Sequence, residues 1–356
     1  MNVKLNSAEL NRMMKTVGQC IDERVQKFGN IEISTGNNKL TIRGTDGQFS
    51  ALTSTPLIGV EEEKFCVDGT MFAKVCSISS GDVSIVTDGK FCTIKGTGRT
   101  RLPIINAEVP EYVHLSGKNP YVLVKAEDFT SAYSSVLHAI SNDQSRIQLT
   151  GVLTEVDESG LRMTTLDGFR MSVETVDCDG DPMKIVIPGA FMKMIQSSVA
   201  SGETVTIATD GKRVEASTDW MNITCGLLIG DFPDTKKIIP AEFKTECLVD
   251  SEQIRCALRS SSVLNSKSNL VKIAVTENAM VVMSNSEQAD YEAEVECETH
   301  GGGLIIAFNQ KYLMDVFASI DSDKAVMKFN TSTSPCVING KNEKGIRLVL
   351  PVRVAG

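Results

Sequence analysis

A short apolar strand runs into a helix cap, an amphipathic helix follows, and strands alternating at period two come next; this pattern occurs six times along the chain. Three copies begin at Lys4, Leu123 and Leu248, and their first helical anchors, Leu10, Phe129 and Ile254, recur at a spacing of about 120 residues. The other three begin at Cys66, Val186 and Ile306, again about 120 residues apart and about 60 out of phase with the first set.

Each start has a local reason. Asn6 with Glu9, and Asp250 with Gln253, have the spacing of a capping box, in which side chains satisfy the orphaned N–H groups of the first helical turn. Pro188 stands where proline is preferred, in the first turn, because its missing N–H is not needed there. Behind the caps, apolar residues recur at helical spacing: Leu10, Met13, Met14 and Val17; Phe129, Tyr133, Val136 and Ile140; Phe191, Met194 and Ile195; Tyr312, Val316 and Ile320. Between the helices, Ile31 and Ile33, Leu40 and Ile42, Val83 and Ile85, and Val205 and Ile207 alternate with polar residues. Asp-Gly pairs at 46–47, 88–89, 167–168 and 210–211 accept the positive φ of tight hairpins, so the sheets are antiparallel. The fold class is therefore α+β: three repeated domains, each with two helices packed on antiparallel sheets, spanning 1–117, 118–243 and 244–356.

Composition narrows the function. A net charge of −9 excludes a protein that wraps nucleic acid with a broad basic surface. No apolar run reaches the about 18 residues of a membrane span, so no membrane partner is expected. The first ten residues carry a strand and a helix cap in place of an export signal, and the ten cysteines are scattered singly, which fits reduced thiols in a cytoplasmic protein.

Catalytic signals are weak. His114, His138 and His300 are far apart and begin no metal or nucleophile motif, and the glycines at 301–303 lack an accompanying nucleophile elbow. Asp177, Asp179 and Asp181 begin like a calcium loop, yet proline stands at 188, where the closing glutamate belongs. No phosphate-cradling glycine loop occurs. No cofactor, metal or catalytic residue is expected; the competing reading is a cytoplasmic hydrolase or metal enzyme on a repeat scaffold.

Several segments carry a resemblance. Residues 149–153, 161–171, 231–240, 307–315 and 348–354 resemble, in order and nearly in spacing, the bacterial sliding clamp, the beta subunit of DNA polymerase III, and the threefold repeat extends that likeness along the whole chain. The resemblance implies a clamp fold that forms a ring, in which a head-to-tail homodimer encircles double-stranded DNA. It also implies partners in the replicative DNA polymerase, the clamp loader and other proteins with a clamp-binding motif.

By the same resemblance, a hydrophobic pocket between the second and third domains takes a peptide with leucine or phenylalanine anchors beside a glutamine. Its residues would be Leu149, Leu166, Gly168, Phe169, Arg170, Met171, Pro233, Lys237, Ile238, Asn309, Tyr312, Leu348, Leu350, Pro351, Val352 and Arg353. Leu166 and Phe169 stand where the family commonly has threonine and histidine, and Lys237 where it often has arginine, which makes the pocket more apolar. The expected DNA-facing cations on helices and nearby loops are Arg12, Lys15, Arg24, Lys27, Lys74, Arg146, Lys193, Arg255, Arg259 and Lys311. The subunit junction would join a sheet edge bearing Arg99, Arg101 and Pro103 to Ser262, Val263 and Leu264, and proline suits an edge because it has no N–H to donate.

Overall fold

The computed structural model describes residues 1–353 apart from Gln26, Val60, Ser116, residues 264–268, Glu287 and Gln288. Among these residues, one order of elements, strand, helix and three strands, recurs six times. The first copy is β1 Asn2–Asn6, α1 Ser7–Val17, β2 Asn30–Gly36, β3 Lys39–Thr45 and β4 Phe49–Pro56. The second is β5 Glu63–Asp68, α2 Gly69–Ile78, β6 Asp82–Thr87, β7 Phe91–Lys95 and β8 Arg99–Pro103. The third is β9 Tyr121–Lys125, α3 Ala126–Val136, β10 Gly151–Asp157, β11 Gly160–Leu166 and β12 Arg170–Val176, and the short β13 Asp179–Gly180 follows it. The fourth is β14 Met183–Pro188, α4 Gly189–Ser198, β15 Thr204–Thr209, β16 Arg213–Ser217 and β17 Met221–Gly226. The fifth is β18 Thr245–Asp250, α5 Ser251–Ser262, β19 Leu270–Val275, β20 Ala279–Asn285 and β21 Asp290–Gly301. The sixth is β22 Leu304–Asn309, α6 Gln310–Ala318, β23 Lys324–Phe329, β24 Cys336–Gly340 and β25 Ile346–Val349.

The helix starts follow the caps with two adjustments. Asn6, Asp68, Asp250 and Asn309 each accept a first-turn N–H through the side chain. Glu9 does not close the capping box, because its carboxylate accepts the Thr55 hydroxyl. Pro188 lies one position earlier than the first turn, as the N-cap of α4.

At the four Asp-Gly turns, the aspartate accepts two backbone N–H groups: those of Gln48 and Phe49, Lys90 and Phe91, Phe169 and Arg170, and Lys212 and Arg213. The glycine beside it has positive φ in every case. The acidic run at 177–181 is structural: β13 pairs with β9, and Asp181 accepts the Tyr121 N–H at 3.2 Å.

Two compact units form, and their division passes through the middle repeat. One comprises Met1–Phe129 with Cys178–Leu227, the other Thr130–Asp177 with Leu228–Gly356. In the first unit, one sheet has the order β1-β6-β7-β8, and a nine-stranded sheet runs β13-β9-β15-β16-β17-β4-β3-β2-β5. In the second, strands run β10-β11-β12-β25-β24-β23-β18-β21-β20-β19-β22. Each unit thus contains one sheet that crosses from repeat to repeat: β4 pairs with β17 in the first, and β12 with β25 in the second. Backbone pairing across a repeat boundary explains why compactness does not follow the threefold period.

The cores fill the space between sheet and helix. In the second unit, Ile254 and Leu258 of α5 and Leu313, Val316 and Phe317 of α6 meet Val271, Ile273, Val282 and Met327 from the strands. In the first, α1 packs on α2, β4 and α4, with Leu10, Met13, Met14 and Val17 buried. Eight cysteines are buried, Cys178 is half-buried and Cys256 exposed, and none is in a disulfide. Burial pushes the Cys76 and Cys92 thiols up to about 12, so they pack as apolar groups. Among the described residues, no helix is long and apolar enough to cross a membrane.

Candidate functional site

The pairing of β12 with β25 sets Met171 opposite Leu348 in the second unit. These two, with Leu149, Leu166, Val173 and Val337, form a buried apolar floor, against which Phe232, Ile238 and Leu350 pack half-buried. One wall is aromatic. Phe169 is 58% exposed at the tip of the β11–β12 hairpin, and its ring stacks on Tyr312 of α6 with centroids 6.1 Å apart.

Arg170 holds that wall in place. Its guanidinium lies 4.4 Å over the Tyr312 ring and bridges Asp167 at 2.9 Å and Asp315 at 2.5 Å. Because Arg170 is only 9% exposed, this is a partly desolvated network whose cation cannot be removed without stranding two carboxylates. The segment after β25 closes the other side: Leu350 N–H donates to the Phe169 carbonyl and Val352 N–H to that of Ala307, each at 2.8 Å. Gly168 has φ of +95°, and a Cβ there would stand 3.3 Å from the Arg146 guanidinium.

The expected pocket residues converge unevenly. Leu149, Leu166, Gly168, Phe169, Arg170, Met171, Ile238, Tyr312, Leu348 and Leu350 belong to this floor, wall and turn. Pro351 is half-buried, Val352 and Arg353 are exposed, and Pro233 lies exposed beyond the packed Phe232. Lys237 is exposed and paired with Asp234 at 3.1 Å, and the Asn309 side chain caps α6. Asp315, Phe232, Val173 and Val337 are not among the expected pocket residues; Asp315 left a signal, three residues after Tyr312 on one helix face, as did Val173, two residues after Met171 on one strand face.

The expected DNA-facing cations fall into two groups. Lys15, Lys74, Lys193, Arg259 and Lys311 project exposed from α1, α2, α4, α5 and α6. Lys27 and Arg24 are exposed in the segment before β2, where Arg24 pairs with Asp22 at 2.8 Å. Arg12, Arg146 and Arg255 are engaged in the fold. Arg12 pairs with Glu203 at 2.9 Å and stacks 3.8 Å over Trp220. Arg146 pairs with Asp143 at 3.2 Å beside the Gly168 turn, and Arg255 donates to the Phe317 carbonyl at 2.9 Å and to that of Ile320.

Of the junction residues, Arg99, Arg101 and Pro103 are exposed on β8, the outermost strand of its sheet. Arg101 also pairs with Asp88 at 3.1 Å and stacks on Phe91. Ser262 ends α5, Val263 beyond it is 82% exposed, and Leu264 lies outside the described residues.

The histidines occupy separate surroundings. His114 Nδ1 is 3.7 Å from Glu215, and His300 pairs across strands with Glu246. His138 is half-buried, with both ring nitrogens shielded from solvent. Among the described residues, no group of three or more His, Cys, Asp or Glu is placed to hold a metal.

Six copies of a strand-helix-strand unit, with an apolar cleft where β12 meets β25, are the architecture of a DNA clamp. Residues 123–234 match the model of the DNA polymerase III beta subunit, central domain, and residues 236–353 that of its C-terminal domain. Beta sliding clamps of Staphylococcus aureus and Streptomyces coelicolor are 22% and 25% identical, over 91% and 89% of both chains respectively. The solved DNA polymerase III beta subunit of Thermotoga maritima superimposes with a TM-score of 0.91 at 25% identity, covering 99% of this chain and 100% of that one. The Bacillus subtilis sliding clamp gives 0.91 at 21% identity with both chains fully covered. The chain belongs to the DNA polymerase III beta subunit family, the sliding clamps, whose members are processivity factors without catalytic activity of their own.

Burial, and secondarily the neighbouring Arg170 charge, lowers the His138 pKa to about 4. An unfolded histidine near 6.5 binds protons that the folded one refuses, so stability falls as pH drops from 6.5 towards 4. Replacing His138 with Phe is expected to remove up to about 3 kcal/mol of that loss, measured by denaturant titration across the window. An unaltered pH slope would count against the buried neutral imidazole.

Proposed function

We propose that the chain is a DNA sliding clamp that closes as a head-to-tail dimer around duplex DNA, keeps the replicative polymerase on its template, and receives partner peptides in the cleft beside Phe169 and Tyr312. Its domains span 1–117, 118–243 and 244–356, and it works in the cytoplasm with a clamp loader that supplies the energy for opening.

One observation carries the ring. Within each repeat, the third strand after the first helix is β4, β12 or β21, and the third after the second helix is β8, β17 or β25. Two junctions close within the chain, β4 on β17 and β12 on β25. The remaining pair stays open: among the described residues β8 pairs only with β7, and residues 290–296 of β21 only with β20. An unpaired edge is a template for another strand. The same junction made between two chains joins β8 of one to β21 of the other, and with three repeats each, two chains close the circle.

Charge favours that pairing. The solvent face of β8 carries Arg99 and Arg101, and that of β21 carries Glu292, Glu294 and Glu296. Opposite charges across strands are stabilising and like charges are not. Helix packing repeats the logic: α1 packs on α4, and the corresponding pair between chains is α5 with α2, where Val263 is 82% exposed and Ile78 78% exposed.

A closed ring also accounts for an acidic protein on DNA. Enclosure retains the clamp without many phosphate contacts, so the net charge of −9 is no obstacle, and the exposed cations on five helices, four lysines and Arg259, suffice for weak, sliding contact.

Clamp loaded onto nicked circular DNA is expected to stay bound through gel filtration and to leave once the circle is cut. Persistence on linear DNA would mean ordinary affinity and would sink the ring. Changing Arg99 and Arg101 to Glu is expected to weaken self-association in sedimentation at least tenfold, with recovery when Glu292 and Glu294 are changed to Arg. Loss without recovery would place the junction elsewhere. Removing residues 350–356 is expected to abolish binding of a leucine- and phenylalanine-bearing peptide in fluorescence anisotropy while leaving retention on circles intact; an unchanged affinity would refute the cleft.

A further inference from the structure

The strand that supplies Leu348 to the cleft floor turns its preceding residue the other way. Arg347 is opposite Ser172 in the β12–β25 register and only 1% exposed, the largest fully buried side chain described. Its guanidinium makes three attachments. One nitrogen meets Glu343 of the β24–β25 turn at 3.2 Å, and the other meets Glu174 of β12 at 3.2 Å and the Ser319 carbonyl at 2.9 Å.

Ser319 is the C-cap of α6, where backbone carbonyls lose their helical partners and the helix dipole is negative. Arg255 of α5 takes the flanking carbonyls of Phe317 and Ile320. Two arginines therefore hold one helix end, and Arg347 is the one that ties it to the strands forming the cleft floor. The consequence lies up the helix. Asp315, one turn before Ser319, fixes Arg170, and Tyr312, two turns before it, stacks on Phe169.

We infer that Arg347 is a positioning residue for the peptide cleft: by tying the end of α6 to the β12–β25 pair, it sets where Tyr312 and Asp315 stand beside Phe169 and Arg170 at the edge of the floor. The inference rests on the proposed peptide binding at that cleft. It gives Arg347 a role distinct from holding the fold together. Its carboxylate partners neutralise it, whereas the Ser319 carbonyl is the contact that orients the wall.

The two roles separate in a triple variant. Changing Arg347 to Met alone strands Glu174 and Glu343 in a half-buried cleft, which lowers both the melting temperature and peptide affinity. Adding Glu174→Gln and Glu343→Gln removes the stranded charges but not the lost tether. The expected result for the triple variant is a melting temperature back near that of the unaltered protein, with peptide Kd still at least tenfold weaker. Affinity that returns together with stability overturns the positioning role and leaves Arg347 as a stabiliser. Affinity unchanged in the single variant overturns it as well. An unaltered protein that binds no leucine- and phenylalanine-bearing peptide at all overturns both this inference and the cleft assignment beneath it.

Discussion

A strand edge must be paired, covered or charged, and this requirement of the backbone organises the molecule. Every repeat ends its sheets in open N–H and C=O groups, and the chain meets that demand by joining the last strand of one repeat to a strand of the repeat before it, β17 to β4 and β25 to β12. The joints are antiparallel ladders with several residues in register, so they fix orientation as well as contact. The candidate cleft is a by-product of one of them. Met171 and Leu348 share its floor because β12 and β25 are neighbours, although about 177 residues separate them in the chain.

The cleft then depends on how buried charge is arranged around that joint. Beside the aromatic pair, Arg170 is clamped by Asp167 and Asp315; at the far end of α6, Arg347 is clamped by Glu174 and Glu343. Burial pushes the Glu174 pKa up, and Arg347 together with the Thr175 N–H opposes it. Buried ion networks of this kind contribute less to net stability than to geometry, because removing either partner is costly while a matched apolar replacement is not. Two such networks, both reaching α6 from the same face of one strand pair, leave the Tyr312 wall little freedom.

Much of the fold was legible in the sequence because it is written in local signals. Asn6, Asp250 and the Asp-Gly pairs act on backbone groups two or three residues away, and the structure finds them doing so. The edge position of residues 99–103 was readable from Pro103 for the same reason. Long-range pairings were not. Glu9 satisfies a capping-box pattern but reaches Thr55 on β4 instead, Arg12 and Arg255 look like free helical cations until Glu203 and the α6 carbonyls are placed beside them, and Arg146 sits by the cleft turn. Periodicity records which face a side chain is on, not which charge lies opposite. The compact units likewise ignore the threefold period, because hydrogen bonds between repeats are as good as those within them.

Trp220 is the chain's single tryptophan, and it stands between β16 and β17 with Arg12 stacked on its ring and its indole N–H donated to Glu203 at 3.0 Å. Arg12 comes from the first repeat and Glu203 from the second, so the indole is gripped from both sides of one internal seam. Its emission is therefore a built-in gauge of that seam alone. Strain at the β12–β25 seam, or at the open edges of β8 and β21, leaves the signal constant, whereas parting of the first repeat from the second takes a cation off the ring and shifts it.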